Sequence, residues 1–215
     1  MSDIEKLAKH FSRFPGIGTR QAKRFVYFLL SGNPRFAREL SSSITTLIAH
    51  TSQCRECRRY FSSGGGPASG RESDSSLCDL CLRTPTVTDT LIVVEKDVDL
   101  VNLEKTGVHL GRFFVLGSLI PLSEIKSPII PPRIGELQTK IEKCVAKSPL
   151  KEVILALNAT PEGDHTALEL KLILKPHQEK YGFTISMLGR GLSTGSELEY
   201  ADSETIRNAL KNRCE

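Results

Sequence analysis

Four cysteines form two Cys-x-x-Cys knuckles, Cys54/Cys57 and Cys78/Cys81, with twenty residues between them. Zinc in structural sites takes a closed tetrahedral set of thiolates, and each knuckle supplies two sulfurs from one tight turn, so two knuckles complete a shell. A redox dithiol or an iron–sulfur cluster would use the same residue type, but no other motif points to electron transfer. Four sulfurs leave no open coordination position, so the metal is expected to be structural. His50, four residues before Cys54, then remains a spare on a helix end. Cys144 and Cys214 have no neighbouring histidine or motif that would lower a thiol pKa, and are expected to pack or sit free.

A second set of residues suits an anion. Phe14-Pro15-Gly16-Ile17-Gly18 is followed by Arg20, Lys23 and Arg24. Gly16 and Gly18 let backbone amides come close to a phosphate, and the next helix start adds unpaired N–H groups and its positive dipole end. The three cations lie off that helix's apolar stripe and can face the same anion. The plain alternative is a simple turn with solvated arginines. The first sixty residues carry eleven Lys/Arg against four Asp/Glu, which marks this end as an anion-binding face in a chain of net charge only +4.

Elements must hold these groups. Ser2-Asp3-Ile4-Glu5 is a capping box for a first helix ending near Arg13. Thr19 is a cap for a second helix with Ala22, Phe25, Val26, Leu29 and Leu30 as its apolar stripe. Asn33-Pro34 starts a third that should carry Phe36, Leu40, Ile44, Leu47 and Ile48 inward. Gly64 to Gly70 and the polar stretch to Ser76 predict a mobile loop closed by the metal. From Thr90 the pattern changes to strands at Leu91–Val94, Phe113–Leu116, Val153–Leu157 and Thr184–Met187, alternating with helices at Asp97–Thr106, Ile134–Val145 and around Ala167–Leu174. Alternation of this kind predicts a mainly parallel sheet with its functional groups at the strands' carboxyl ends, where Glu95 and the Asn158–Asp164 segment fall. Ser127–Pro132, with three prolines, predicts a loop, and a last helix over Asp202–Lys211 has little to bury alone.

With 39% hydrophobic and 25% charged residues, the 215-residue chain has the composition of a globular protein. No run approaches the ~18 apolar residues of a membrane span, and Met1 is followed by Ser-Asp-Ile-Glu rather than a leader, so a cytoplasmic, nucleoid-associated protein is expected. No Gly-x-x-x-x-Gly-Lys-Ser/Thr occurs, which argues against an autonomous ATPase. The fold class expected is α/β with small α and zinc modules. The segments expected are a helix-hairpin-helix domain (1–52) and a four-cysteine zinc finger (53–84), followed by what the family resemblance given next implies, a Toprim-like domain (85–188) and a C-terminal segment for subunit contacts (189–215).

In this order the pieces resemble the RecR family of recombination mediators over essentially the whole length. The residues carrying the resemblance are the 14–18 hairpin with Arg20, Ala22 and Arg24, the paired knuckles, Val93-Val94-Glu95, and Glu104-Lys105-Thr106-Gly107 with Gly111-Arg112. Val115-Leu116-Gly117, Asn158, Thr160, Glu162, Gly163 and Thr166, Gly191, and Leu198–Asp202 complete it. The resemblance implies a non-enzymatic DNA-repair protein that binds single- and double-stranded DNA. It would work with RecO, and with RecF where present, to load RecA on single strands. Dimers or ring-like tetramers able to encircle DNA are also implied. The knuckle loop is longer than usual in the family, and Ala159 and Ser193 stand where proline is usual. Catalytic Toprim proteins hold magnesium with a first-strand glutamate and an Asp-x-Asp pair; Asn158 and Thr160 take the pair's place here, while Glu95, Glu162 and Asp164 remain. Those five residues are assigned to partner binding or residual magnesium. A small magnesium-dependent Toprim nuclease or primase-like enzyme is the alternative. In a purely structural role, Glu162 would cap the following helix and Glu95 would hold a neighbouring loop. His109, His165 and His177 have no ligand spacing, and Tyr200 is either packed or at an interface.

Overall fold

The computed structural model describes residues 1–62, 76–83, 88–107, 111–123, 131–195 and 197–213. The described residues of 1–52 and 62–70 form one compact unit, and those of 53–61 and 71–215 another. The 64–70 loop, His109, Cys214 and most of the 127–132 connection lie outside the described residues.

In the first unit, helix α1 (Asp3–Phe11) opens on the expected capping box. The Glu5 amide donates to Ser2 Oγ at 3.3 Å and the Ser2 amide to Glu5 Oε2 at 2.8 Å. Its C-cap is Ser12, so it stops just short of Arg13. Helix α2 (Thr19–Ser31) follows the turn, with Ala22 and Val26 buried against Ala8, Ile4, Phe11 and Ile17. Helix α3 (Pro34–Ala49) starts where Asn33 Oδ1 accepts from the Arg35 amide at 2.9 Å.

Two expectations fail here. Leu30 is 64% exposed, and α3 buries no residue: Phe36, Ile44, Leu47 and Ile48 are 46–73% exposed. The core shared by α1 and α2 is built on two alanines and a valine, and is complete without a third helix. Periodicity shows that a helix has an apolar face; it does not show that the same unit covers it.

Strands β1 (Thr51–Gln53) and β2 (Tyr60–Ser62) pair around the first knuckle, and the second opens the short helix α4 (Asp79–Arg83). Then come β3 (Thr90–Val94), α5 (Asp97–Thr106), β4 (Arg112–Val115), α6 (Ile134–Lys147), β5 (Glu152–Ala156), α7 (Pro161–Tyr181), β6 (Thr184–Met187), a 3-10 turn (Leu198–Tyr200) and α8 (Ser203–Lys211). The sheet order is β4-β3-β5-β6, every pair parallel, and one row runs Phe114, Val93, Leu155, Met187. Parallel strands buried on both faces need continuous apolar runs, which explains the Leu-Ile-Val-Val and Phe-Phe-Val sequences. Leu91, Val93, Phe114 and Leu155 face Leu137, Ile141, Leu170 and Leu174 of α6 and α7. Ile92, Val94, Phe113 and Val115 form the other face with Leu100 of α5. Full burial of each such side chain contributes about 1.5–3 kcal/mol. Helix α8 buries no residue fully, as its sparse apolar pattern implied.

Candidate nucleic-acid interface and metal centre

The hairpin of the first unit is built by two glycines with different duties. Gly16 has φ +78°, a left-handed conformation that turns the chain, whereas Gly18 is extended and stands as the N-cap of α2. Thr19 was expected at the cap and is instead the first helical residue. Because glycine has no side chain to cap with, no side-chain hydrogen bond closes the start of α2, and its first turn holds no acid. A Cβ at either glycine would meet nothing within 4 Å, so both stand on the open surface of the turn. Arg20, Lys23 and Arg24 are all exposed, with Arg24 held lightly by Gln21 Oε1 at 3.3 Å. An uncapped helix start with its positive dipole end and three exposed cations have the chemistry to attract an anion.

In the second unit Cys54, Cys57 and Cys78 are buried and Cys81 half-buried, with all four sulfurs within 4.8 Å of one another. Cys57 and Cys78 Sγ lie 3.6 Å apart, and the Cys78 amide donates to Cys54 Sγ at 3.4 Å. Thiols this close share protons. Contact with Cys57, then Cys78 and Cys81, pushes Cys54 down, while contact with Cys54 pushes Cys57 and Cys81 up. Cys78, raised by Cys54 but lowered by Cys57 and Cys81, comes to about 7. An all-sulfur set suits a thiophilic divalent ion. Among the described residues it is the one group of three or more metal-ligating side chains. His50 is the C-cap of α3, outside the set, and Cys144 is buried and free.

The first knuckle is fastened to the sheet by groups that sequence patterns did not single out. The Cys57 carbonyl accepts from the Val115 amide of edge strand β4 at 2.8 Å. Glu56, between two sulfur ligands, pairs with Lys140 of α6 at 2.5 Å, and Arg58, in a left-handed conformation at φ 65°, pairs with Glu136 of the same helix. Burial raises the Glu56 carboxyl, but Lys140, backed by Lys147 and Lys143, brings it below its ordinary value. Arg59 and Arg83 both reach Glu104 of α5, and the Tyr60 amide donates to Asp97 Oδ1 at 2.6 Å. A lysine inside the Leu137–Ile141 apolar stripe was the one available signal, since a buried lysine needs a partner.

At the carboxyl ends of the strands the five candidate residues separate. Glu95 is 5% exposed, and both of its oxygens are occupied: Asn158 Nδ2 donates to Oε2 and Lys96 Nζ meets Oε1, each at 2.7 Å. Thr160, not Glu162, caps α7, its Oγ1 accepting from the Gly163 amide at 3.1 Å. Gly163 is obligatory, since a Cβ there would lie 2.0 Å from the Asn158 carbonyl oxygen. Glu162 points to solvent, while its carbonyl accepts from buried Thr166. Asp164 forms a two-point pair with Arg190, which holds its carboxyl below the usual range. A polar cavity of about 610 Å³ beside this pair is lined by Thr160, Arg190, Asp202, Glu204 and Asn208 among others. His177 lies 3.6 Å from Glu142, and Tyr200 is 80% exposed. No described helix is long and apolar enough to cross a membrane.

Family models match in chain order: the RecR helix-hairpin-helix over residues 4–48, the Toprim domain over 89–188 and the RecR C-terminal segment over 191–214. The chain is 34% identical over 211 residues to the recombination protein RecR of Dehalococcoides mccartyi, covering 98% of this chain and 93% of that protein. It is 32% identical to the protein of the same name in Bdellovibrio bacteriovorus, over 100% and 98% of the two chains. With that of Chlorobium phaeobacteroides it shares 32%, over 98% and 95%.

Proposed function

The chain belongs to the RecR family of recombination proteins, and from that premise we propose that it is a non-enzymatic DNA clamp of recombinational repair. The hairpin grips the backbone of single- or double-stranded DNA, zinc held by Cys54, Cys57, Cys78 and Cys81 stiffens the knuckle module, and the carboxyl end of the sheet docks protein partners. Those partners are RecO, and RecF where present, and the outcome is RecA loading on single strands. The observation that carries this proposal is the bare start of α2: Gly18 at the cap, amides open, no acid in the first turn, and Arg20, Lys23 and Arg24 around it. The exposed apolar faces of α2 and α3, with Tyr27, Phe28, Leu47 and Ile48, supply the surface for assembly into dimers or tetrameric rings.

Catalysis by magnesium is disfavoured by the contacts of Glu95. An Asp-x-Asp pair would add two carboxylates to the first-strand glutamate, whereas Asn158 donates a hydrogen bond to it and Lys96 neutralises it. Fluorescence anisotropy of labelled oligonucleotides across a salt series, run beside a magnesium turnover assay, tests the proposal. Binding that ignores sequence and weakens steeply with salt, without turnover, is the expected result. Magnesium-dependent cleavage or synthesis that disappears in Glu95→Gln would replace the clamp with the enzyme.

A further inference from the structure

Helix α6 carries a row of charge at helical spacing: Glu136, Lys140, Lys143 and Lys147 recur every three or four residues and so share one face. The first two are already neutralised by the knuckle, Glu136 by Arg58 and Lys140 by Glu56. Lys143 and Lys147 are exposed and make no ion pair among the described residues. Beside them a recess of about 130 Å³ is lined by Arg55, Arg58, Lys140 and Lys143 together with the paired acids Glu56 and Glu136, with the buried Phe114 behind it. Counting Arg58, Lys140, Lys143 and Lys147 against Glu56 and Glu136 gives four positive charges to two negative, and the excess of two is that of Lys143 and Lys147.

We propose that this face, where α6 meets the first knuckle, is a second phosphate-binding surface, with Lys143 and Lys147 following the nucleic-acid backbone away from the recess. Cations one helical turn apart, ~5.4 Å along the axis, offer one charge for every one or two phosphates of a strand rising ~3.4 Å per nucleotide. Two exposed lysines one turn apart complement the closely repeated charges of a polyanion of phosphates, which is the occupant this face fits. The proposal rests on the DNA-binding role above and adds to it a contact outside the hairpin.

The test compares the full-length protein with Lys143→Ala/Lys147→Ala, Lys143→Arg/Lys147→Arg and Arg20→Ala/Arg24→Ala. Each is titrated with labelled single-stranded and duplex DNA across a salt series, after metal content and circular dichroism have been matched. Loss of two phosphate contacts should lower the slope of log affinity against log salt by about 1.4 for single strands and about 1.8 for duplex. Affinity for single strands should fall roughly 20-fold at 0.1 M salt, and the arginine pair should restore it. Unchanged slope and affinity in the Lys143/Lys147 alanine variant, with the Arg20/Arg24 variant weakened, would overturn this second surface and leave the hairpin standing. Absence of DNA binding by the unaltered protein would overturn both. If vesicles containing anionic lipid bind through these lysines while DNA binding ignores them, the proposal is again wrong.

Discussion

Asn158 and Glu95 show how one atom decides between a metal ligand and a strut. The amide nitrogen of Asn158 donates to a carboxylate that is 5% exposed. An aspartate at 158 would set a second carboxylate against the first in a site that burial makes unforgiving. Asn158→Asp is therefore expected to cost about 1–3 kcal/mol of stability at neutral pH, to regain part of it as the pair binds a proton in acid, and to gain no turnover. Urea unfolding at several pH values and a magnesium cleavage assay check this. At the hairpin, Arg20→Ala with Arg24→Ala should weaken DNA binding severalfold while leaving unfolding unchanged, because both side chains are exposed; equal affinity at moderate salt would remove the hairpin from the binding site. What was legible at this scale carried its own short motif: the Pro-Gly turn and the capping box complete their chemistry within a few residues, and each Cys-x-x-Cys knuckle announces two sulfurs that need a second pair, here twenty residues on. What was not legible spans long separations, such as Lys140 with Glu56, 84 residues apart, and Arg190 with Asp164, 26 apart, because no periodicity reports which distant charges meet.

Elements were legible where burial repeats regularly. Continuous apolar runs marked β3, β4 and β5, since two covered faces leave few polar positions, whereas edge strand β6, Thr184–Met187, alternates polar and apolar residues and is only half-buried. The reading failed at α3, whose stripe is real but uncovered, and at Thr19, where glycine took the cap and left the amides open. Leu47→Ser with Ile48→Ser should lower the self-association constant and leave helix content intact, as read by sedimentation and circular dichroism. Cys54→Ser should release the metal and loosen the knuckle with its Val115 and Lys140 attachments; unaltered metal content would contradict the ligand assignment. Helix α8 is tied through Arg190, whose carbonyl accepts from Asn212 at 2.8 Å and whose guanidinium grips Asp164. Because Arg190 lowers the Asp164 pKa, the pair favours the fold above the unfolded carboxylate value of about 3.9 and stops doing so as pH falls through the lower folded value. Thermal unfolding should accordingly separate Asp164→Asn from the unaltered protein at pH 6, with the difference vanishing in strong acid.

For the molecule as a whole, the apolar face on α2 and α3 and the open amides at the start of α2 belong to the same three-helix unit. A single phosphate grip of a few exposed cations is weak and salt-sensitive, whereas several copies on one strand multiply their hold through effective concentration. The central claim is thus that the working form is a closed set of chains around or along DNA, with no reaction performed on it. Native mass measurement of the full-length protein with and without a long oligonucleotide tests this most directly. Two or four chains per DNA molecule, irrespective of sequence and reduced by Leu47→Ser/Ile48→Ser, is the result the account predicts. A single chain on DNA at every concentration, or no complex at all, would contradict it.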